Sequence, residues 1–532
     1  MNLKRLLGTA AGLIVVILIV TAFLGGPENL GSNDDEKETP GTPDVPGTGD
    51  TSEPSEPGED DQTPEDHQPV RDEDGCIEIL PGISREYEII RVEGEVNESI
   101  ALDALEIFGV SAEEHVWTQR FAGMDDLQYM SNHEMTIGGS ENSTAYVNVT
   151  YPGVYRVELF ADGETYEMEL KATKVGRALE LKGLNFIDLF GTTGNPEFNI
   201  HPDDPECFEK ALEHAFEGPL RVGAEWVGMV PAAFYYQVDP PLVQDNDTFL
   251  SMSDDDFYAA FVKGAHDRGL KVMETYQQTG GLDFTEVDWQ LLSEKENDPE
   301  WWSLWFDMWE EYTVRRATRA ESFGTDAILL DMYSEATLKP DVYPEYAGRW
   351  SELIHAVREV FSGQVGLNYI NADERITFYK ELDFIQITYF GGLYTSRTDM
   401  LPDPRNPTIE ELMAINDVMF EGIEYMMGGK LPIYVVLTTG SSNGQNTAED
   451  PELRSAVDFN EQVIYYEAFF ASLEKYNWAT GIMTERWDFW DEYRRFGDEY
   501  NIQYFAETTS ASPRNKPAED VMALWFEVYQ SE

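Results

Sequence analysis

The stretch Ala327-Ile-Leu-Leu-Asp-Met-Tyr333 is a short apolar run closed by a carboxylate, set between two long amphipathic stretches, Trp305 to Phe323 and Tyr346 to Phe361. A run without polar alternation suits a strand buried on both faces, and the flanking helical stretches supply the covering layers. This is the pattern of a βα unit in a parallel sheet. Working outward, the same pattern recurs at Leu181-Lys-Gly-Leu-Asn-Phe-Ile, Arg221-Val-Gly-Ala-Glu-Trp-Val and Lys271-Val-Met-Glu-Thr-Tyr on the N-terminal side. On the C-terminal side it recurs at Val365-Gly-Leu-Asn-Tyr-Ile, Phe384-Ile-Gln-Ile-Thr-Tyr, Ile433-Tyr-Val-Val-Leu-Thr and Gly481-Ile-Met-Thr-Glu. Helical stretches at Phe257 to Arg268 and Asn460 to Tyr476 fall between them. Eight such units over roughly 350 residues predict an α/β fold, a (β/α)8 TIM barrel spanning 176–532 with enlarged loops; an open eight-unit sheet is the less economical alternative.

Upstream the pattern changes. Residues 76–175 carry short alternating runs, such as Thr144-Ala-Tyr-Val-Asn-Val and Val154-Tyr-Arg-Val-Glu-Leu-Phe, with Pro152-Gly153 and Asp162-Gly163 as turns. They predict a small all-β sandwich. Residues 27–75 are Asp, Glu, Pro, Gly, Thr and Ser with almost no large apolar side chain, a composition that reads as a disordered acidic linker. Residues 1–26 hold an uncharged apolar run from Leu6 to Leu24 behind Lys4 and Arg5. This reads as a transmembrane signal anchor with the folded part extracellular, or as a leader cleaved after Ala22 and a secreted product. An exterior compartment permits a disulfide, and Cys76 with Cys207 are the two cysteines available to join the sandwich to the barrel's first loop.

With 36 basic and 101 acidic side chains, the chain has a formal charge of −65. Such a surface repels polyanions, which excludes nucleic acid as a partner. The acidity is that of a halophilic protein, or else is concentrated in the linker. The seven histidines show no paired metal-ligand spacing, and there is neither a nucleophile elbow nor a glycine-rich phosphate loop. Neither a metal nor a cofactor is expected.

In a TIM barrel the chemistry sits at the C-terminal strand ends. There, strand four offers Asp331 and Glu335, and strand eight offers Glu485 with Arg486 and Trp487. Two carboxylates facing over a cleft are what glycoside hydrolysis requires: one protonates the leaving oxygen, and the other attacks the anomeric carbon or activates water. Glu225, Glu274, Tyr276, Asn368, Asn371 and Tyr389 are candidates for hydrogen bonds to sugar hydroxyls. Trp226, Trp301, Trp302, Trp487 and Trp490 are candidates for stacking on pyranose faces. Trp305 and Trp309, four apart on a helix, are expected to pack it against the barrel. The structural alternatives are helix capping or a loop ion pair for Asp331 and Glu335, and an ion pair with Arg486 for Glu485.

The order Trp302-Ser-Leu-Trp305-Phe306, Ala327-Ile-Leu-Leu, and Arg349-Trp-Ser-Glu-Leu-Ile-His-Ala-Val-Arg358-Glu-Val-Phe-Ser-Gly363 resembles the glycoside hydrolase family 113 β-mannanases and their barrel relatives. Leu382-Asp-Phe-Ile-Gln-Ile-Thr-Tyr389-Phe and Ser512-Pro-Arg-Asn-Lys516-Pro-Ala-Glu519 are similar in order and spacing. The resemblance implies a general acid/base Glu after strand four and a nucleophile Glu at the end of strand seven. The first role falls on Glu335. At strand seven, Leu437 or Thr438 stands where the nucleophile belongs. The second carboxylate is then Asp331 or Glu485, or the enzyme inverts, or catalysis is lost. Two readings follow: a membrane-anchored glycoside hydrolase acting on extracellular or cell-surface polysaccharide, or a catalytically inactive carbohydrate-binding or cell-envelope protein.

Overall fold

The computed structural model describes residues 71–77, 89–186, 200–245, 254–280, 286–295, 298–330, 346–368, 378–390, 401, 406–427, 431–440, 457–489 and 511–531, apart from 112, 125 and 231. All belong to one compact unit, Pro69–Glu532. The anticipated anchor and most of the linker lie outside the described residues, as do Asp331, Glu335, Asn371 and Trp490. Among the described residues, no helix is long and apolar enough to cross a membrane.

The all-β part is two sheets on a shared core. Strands Ile90–Glu95, Glu164–Thr173, Gly153–Ala161 and His115–Arg120 form a four-stranded sheet in that order. Ile100–Asp103, Thr144–Asn148 and Thr136–Gly138 form a three-stranded one. Alternation along each strand turns Trp117, Val147, Tyr155, Val157, Leu159, Met168 and Leu170 into the space between them. The hairpin from Gly153–Ala161 to Glu164–Thr173 turns at Asp162 and Gly163, with φ of 51° and 86°. Left-handed backbone at both positions matches the twist of the flanking strands, which is why an Asp-Gly pair closes it.

Numbered from its first strand, the barrel comprises β1 (Leu181–Phe186), β2 (Trp226–Met229), β3 (Lys271–Thr275), β4 (Ala327–Leu329), β5 (Gln364–Asn368), β6 (Phe384–Phe390), β7 (Ile433–Thr438) and β8 (Ala479–Thr484). They are parallel throughout and closed, β8 pairing with β1. Its helices are α1 (Pro205–Arg221), α2 (Asp255–Asp267), α3 (Pro299–Phe323), α4 (Ala347–Val360), α5 (Ile409–Met427), α6 (Phe459–Leu473) and α7 (Pro517–Val528). Caps fix their starts: Asp204, Asp254, Asp298 and Asp458 each accept a backbone N–H of the first turn. After β2 and β3 the chain continues as strands Ala232–Gln237 and Gln277–Gly280, which pair in parallel and carry a third strand, Leu242–Gln244.

Strand register and alternation stack the inward side chains in layers, each drawn from alternate strands. From the N-terminal end upward these are Trp226, Ala327, Phe384 and Gly481; then Gly183, Met273, Gly366 and Tyr434; then Gly228, Leu329, Gln386 and Met483; then Asn185, Thr275, Asn368 and Val436. Rings fill the space that glycines leave. Phe384 stacks on Tyr434 at 4.6 Å, and a Cβ at Gly366 would lie 2.2 Å from the Phe384 ring.

Among the ties that hold the all-β part to the barrel, two are buried or covalent. Glu467 of α6 is fully buried and accepts from Tyr129 Oη at 2.8 Å, Ser131 Oγ at 2.6 Å and the Asn132 backbone N–H at 2.9 Å. Burial pushes its carboxyl up to about 7, against those three donors. Cys76 and Cys207 form a disulfide with Cα atoms 5.2 Å apart. Cys207 lies in the first turn of α1 rather than in a loop, and Cys76 in the segment ahead of the first described strand of the all-β part. Lys210 of α1 pairs with Asp72 and Asp74 beside it.

Candidate active site

The polarity of the lumen changes with height. The two lowest layers are apolar apart from the Tyr434 hydroxyl, whereas Gln386, Asn185, Thr275 and Asn368 occupy the upper two, toward the strands' C-terminal ends. Thr388 stands above them on β6 and exchanges hydrogen bonds with Asn368, whose Nδ2 lies 3.1 Å from Thr388 Oγ1. Thr438 ends β7 on the inward side and is partly exposed, whereas Leu437 faces the helices within their apolar core. Thr438 is therefore the residue at the position where the resemblance expects a nucleophile.

Glu485 directly follows β8, is 4% exposed, and extends the ladder through its N–H to the Leu437 carbonyl at 2.9 Å. Arg486 follows it, and its Nε donates to both oxygens of the buried Asp488, at 2.7 and 2.6 Å. The Asp488 backbone N–H donates to the Ser512 hydroxyl, and its carbonyl accepts from Arg514 Nη1. The turn after β8 is thus braced from the chain's C-terminal segment. Trp487 corrects its expected role. It is buried against α1, where a Cβ on Gly218 would come within 2.4 Å of its ring, so it packs strand to helix and presents no face to a sugar.

The other candidates divide by the direction of their strand positions. Glu274 and Tyr276 point outward. Glu274 is wholly buried, forms an ion pair with Arg316 of α3 and accepts from Tyr258 of α2 at 2.9 Å. Burial opposes the Arg316 charge, but Glu274, Tyr312 and Asp245 around it hold the guanidinium protonated. Tyr276 meets Tyr312 edge-on and is buried, which pushes its phenol well up. Tyr389 also faces the helices, donating to Asn416 and touching Phe420 and Phe469. Hence these three are barrel-to-helix ties.

Glu225 and Trp226 stand at the opposite end from the mouth. Arg221 closes α1 instead of opening a strand, because Gly223 in left-handed conformation (φ 74°) ends the helix and delays β2 to Trp226. Glu225 pairs with Lys182 at 3.1 Å, and Trp226 closes the N-terminal end of the lumen under the Lys271 ammonium. Trp301 and Trp302 are buried in α3; Trp301 Nε1 donates to the Val238 carbonyl at 2.6 Å. Trp305 and Trp309 of α3 are buried and stack on each other at 5.9 Å, and Trp305 Nε1 donates to Tyr235 in the strand Ala232–Gln237. Of the described candidates, Asn368 and Glu485 lie toward the C-terminal mouth. Sequence reasoning passed over Asn185, Thr275, Gln386 and Thr388. Among the described residues, no group of three or more His, Cys, Asp or Glu is placed to hold a metal ion.

A closed parallel barrel with a polar upper lumen is shared by many enzymes, so the fold does not decide among them. The sequence profile of glycoside hydrolase family 113 does: it matches residues 212–506, more than half of the chain. The chain belongs to glycoside hydrolase family 113. Solved structures similar to this family 113 chain include a GH113 β-1,4-mannanase, 18% identical, covering 66% of this chain and 99% of that one with a TM-score of 0.46. The GH113 β-mannanase of Alicyclobacillus acidocaldarius, in complex with ManMIm, is 21% identical over 66% and 97% of the two chains with a TM-score of 0.47. A β-glucuronidase of Ruminococcus gnavus is 12% identical over 78% and 68%, with a TM-score of 0.39. No curated protein matches the chain.

Proposed function

We propose that this family 113 barrel is exported, held at the membrane by residues 1–26, and takes an extracellular or cell-surface polysaccharide across its C-terminal mouth for hydrolysis by carboxylate acid/base chemistry. Glu335 is assigned as the acid, with Asp331 or Glu485 as its partner. The observation that carries the reading is the family match across the very segment, 212–506, that contains these carboxylates and all of the polar upper lumen except Asn185. A carboxylate pair is what the reaction needs, because the oxocarbenium-like transition state develops positive charge that one group stabilises while the other protonates the leaving oxygen. A separation of about 6.5–9.5 Å between the two would mean inversion, and about 5–5.5 Å retention.

A second reading has its own support. Thr438 on the inward end of β7 cannot supply an ionised carboxylate, which favours a protein that binds glycan without cleaving it. Reducing-sugar release from a panel of β-linked polysaccharides, run beside a glycan array, separates the two. Turnover that falls by orders of magnitude in Glu335→Gln supports the hydrolase; binding without turnover on every ligand bound refutes it and leaves the binding protein. Thr438→Glu, which restores a carboxylate there, should then be tried for gain of hydrolysis.

A further inference from the structure

We infer that Asn185, Thr275 and Gln386 form an uncharged hydroxyl-binding floor beneath the mouth, completed only when a sugar unit is bound above it. The inference rests on the polysaccharide reading and names residues that no role assigned so far uses. All three are fully buried on the inward side of β1, β3 and β6. Both amide atoms of Asn185, both of Gln386 and Thr275 Oγ1 find no hydrogen-bond partner among the described residues. Buried polar groups are nearly always paired, so unpaired atoms at three inward positions of the upper lumen ask for a missing partner.

A second observation concerns where they are. A lumen built for packing alone would be apolar at every height, as the layer of Trp226, Ala327, Phe384 and Gly481 is. The amides and the hydroxyl are instead confined to the upper two of these four layers, toward the C-terminal ends, the side on which barrel chemistry is carried. The space for them is also built in: Gly228 lies so close to Asn185 that a Cβ there would sit 1.9 Å from Oδ1. No side chain at 228 is compatible with that amide position. Amides offer both donors and acceptors, and a hydroxyl either, which is the complement of a sugar's hydroxyl groups.

The test separates a floor from a packing defect because the two respond oppositely to apolar replacement. Thr275→Val and Gln386→Met remove unpaired buried polar atoms, so the melting temperature should hold or rise. Binding of β-1,4-mannohexaose, or of the best ligand from a glycan array, should weaken about tenfold or more in calorimetry. Thr275→Ser, which keeps the hydroxyl, should retain parental affinity and guards against a variant that merely misfolds. A parent that binds glycan while Thr275→Val and Gln386→Met bind it equally well would overturn the floor and leave the polysaccharide reading standing. A parent that binds no glycan would overturn both.

Discussion

Substituting Glu274→Gln should destabilise the barrel without touching glycan recognition. The carboxylate lies wholly buried between β3 and two helices, ion-paired with Arg316, which is itself 0% exposed. Removing one member of such a pair leaves an uncompensated buried charge, at a cost of about 3–5 kcal/mol. The lower end applies here: Asp245 Oδ1 stays 3.7 Å from Arg316 Nη1, and Tyr258 can still donate to the amide oxygen. The expected loss is therefore about 3 kcal/mol. Urea unfolding followed by the fluorescence of the buried tryptophans would read it as a lower midpoint at unchanged slope. Arg316→Met should cost a similar amount, and Glu274→Gln/Arg316→Met less than their sum, because the second change removes the charge that the first stranded. Below the unfolding transition, glycan affinity should match the parent. An unchanged midpoint combined with lost glycan binding would return Glu274 to the substrate site and refute the outward assignment.

Reducing the disulfide, or Cys207→Ser, releases a closure spanning 131 residues of sequence and should cost up to about 5 kcal/mol by loop entropy; a melting temperature indifferent to reductant would show that the Lys210 ion pairs and the other contacts suffice. The Glu467 carboxyl is raised by burial from 4.5 to about 7, so its protonation stabilises the folded state fully below about pH 4.5 and that stabilisation is lost as pH rises through 7. Thermal melts of Glu467→Gln should lack that component of the slope between the two values; an identical pH profile would disprove the linkage. The imbalance of 101 acidic over 36 basic side chains predicts a melting temperature that climbs from dilute buffer to molar potassium chloride, and a flat response would assign the acidity mainly to the linker.

The alternation of apolar runs and amphipathic stretches locates seven of the eight strands closely and the second about five residues early, because a parallel barrel needs strands buried on both faces and helices to cover them. That same burial hid the direction of each side chain. Where both faces are apolar, alternation no longer marks which positions look into the lumen, and polar residues at strand ends attract equal attention whether they face in or out. Glu274, Tyr276 and Tyr389 drew notice on that ground and face the helices. A usable signal was present in the glycines. Gly366 and Gly481 sit where inward rings crowd the backbone, and Gly183 where the Trp226 Cβ and carbonyl and the Met483 methyl do; counting two or four residues onward from the three reaches Asn185, Asn368 and Glu485. Glu225 and Trp226 mislead for another reason: in sequence Gly223 reads as part of a strand, whereas in left-handed conformation it ends a helix.

The pairing of glycines with rings on neighbouring strands also bears on how this barrel can change over generations. Phe384 occupies what would be the side chain of Gly366, and Tyr434 that of Gly481, from which a Cβ would be 2.5 Å distant. A larger residue at 366 collides unless the neighbouring ring shrinks in the same lineage, and one at 481 meets the Leu181 Cβ at 2.9 Å as well as the Tyr434 ring. Either change alone is deleterious: one overfills, the other leaves a void. Homologues should therefore show these positions drifting as matched pairs, glycine with a ring or a larger residue with a small one. Chimaeras that cross over between 366 and 384, or between 434 and 481, should fail more often than those that inherit each pair intact.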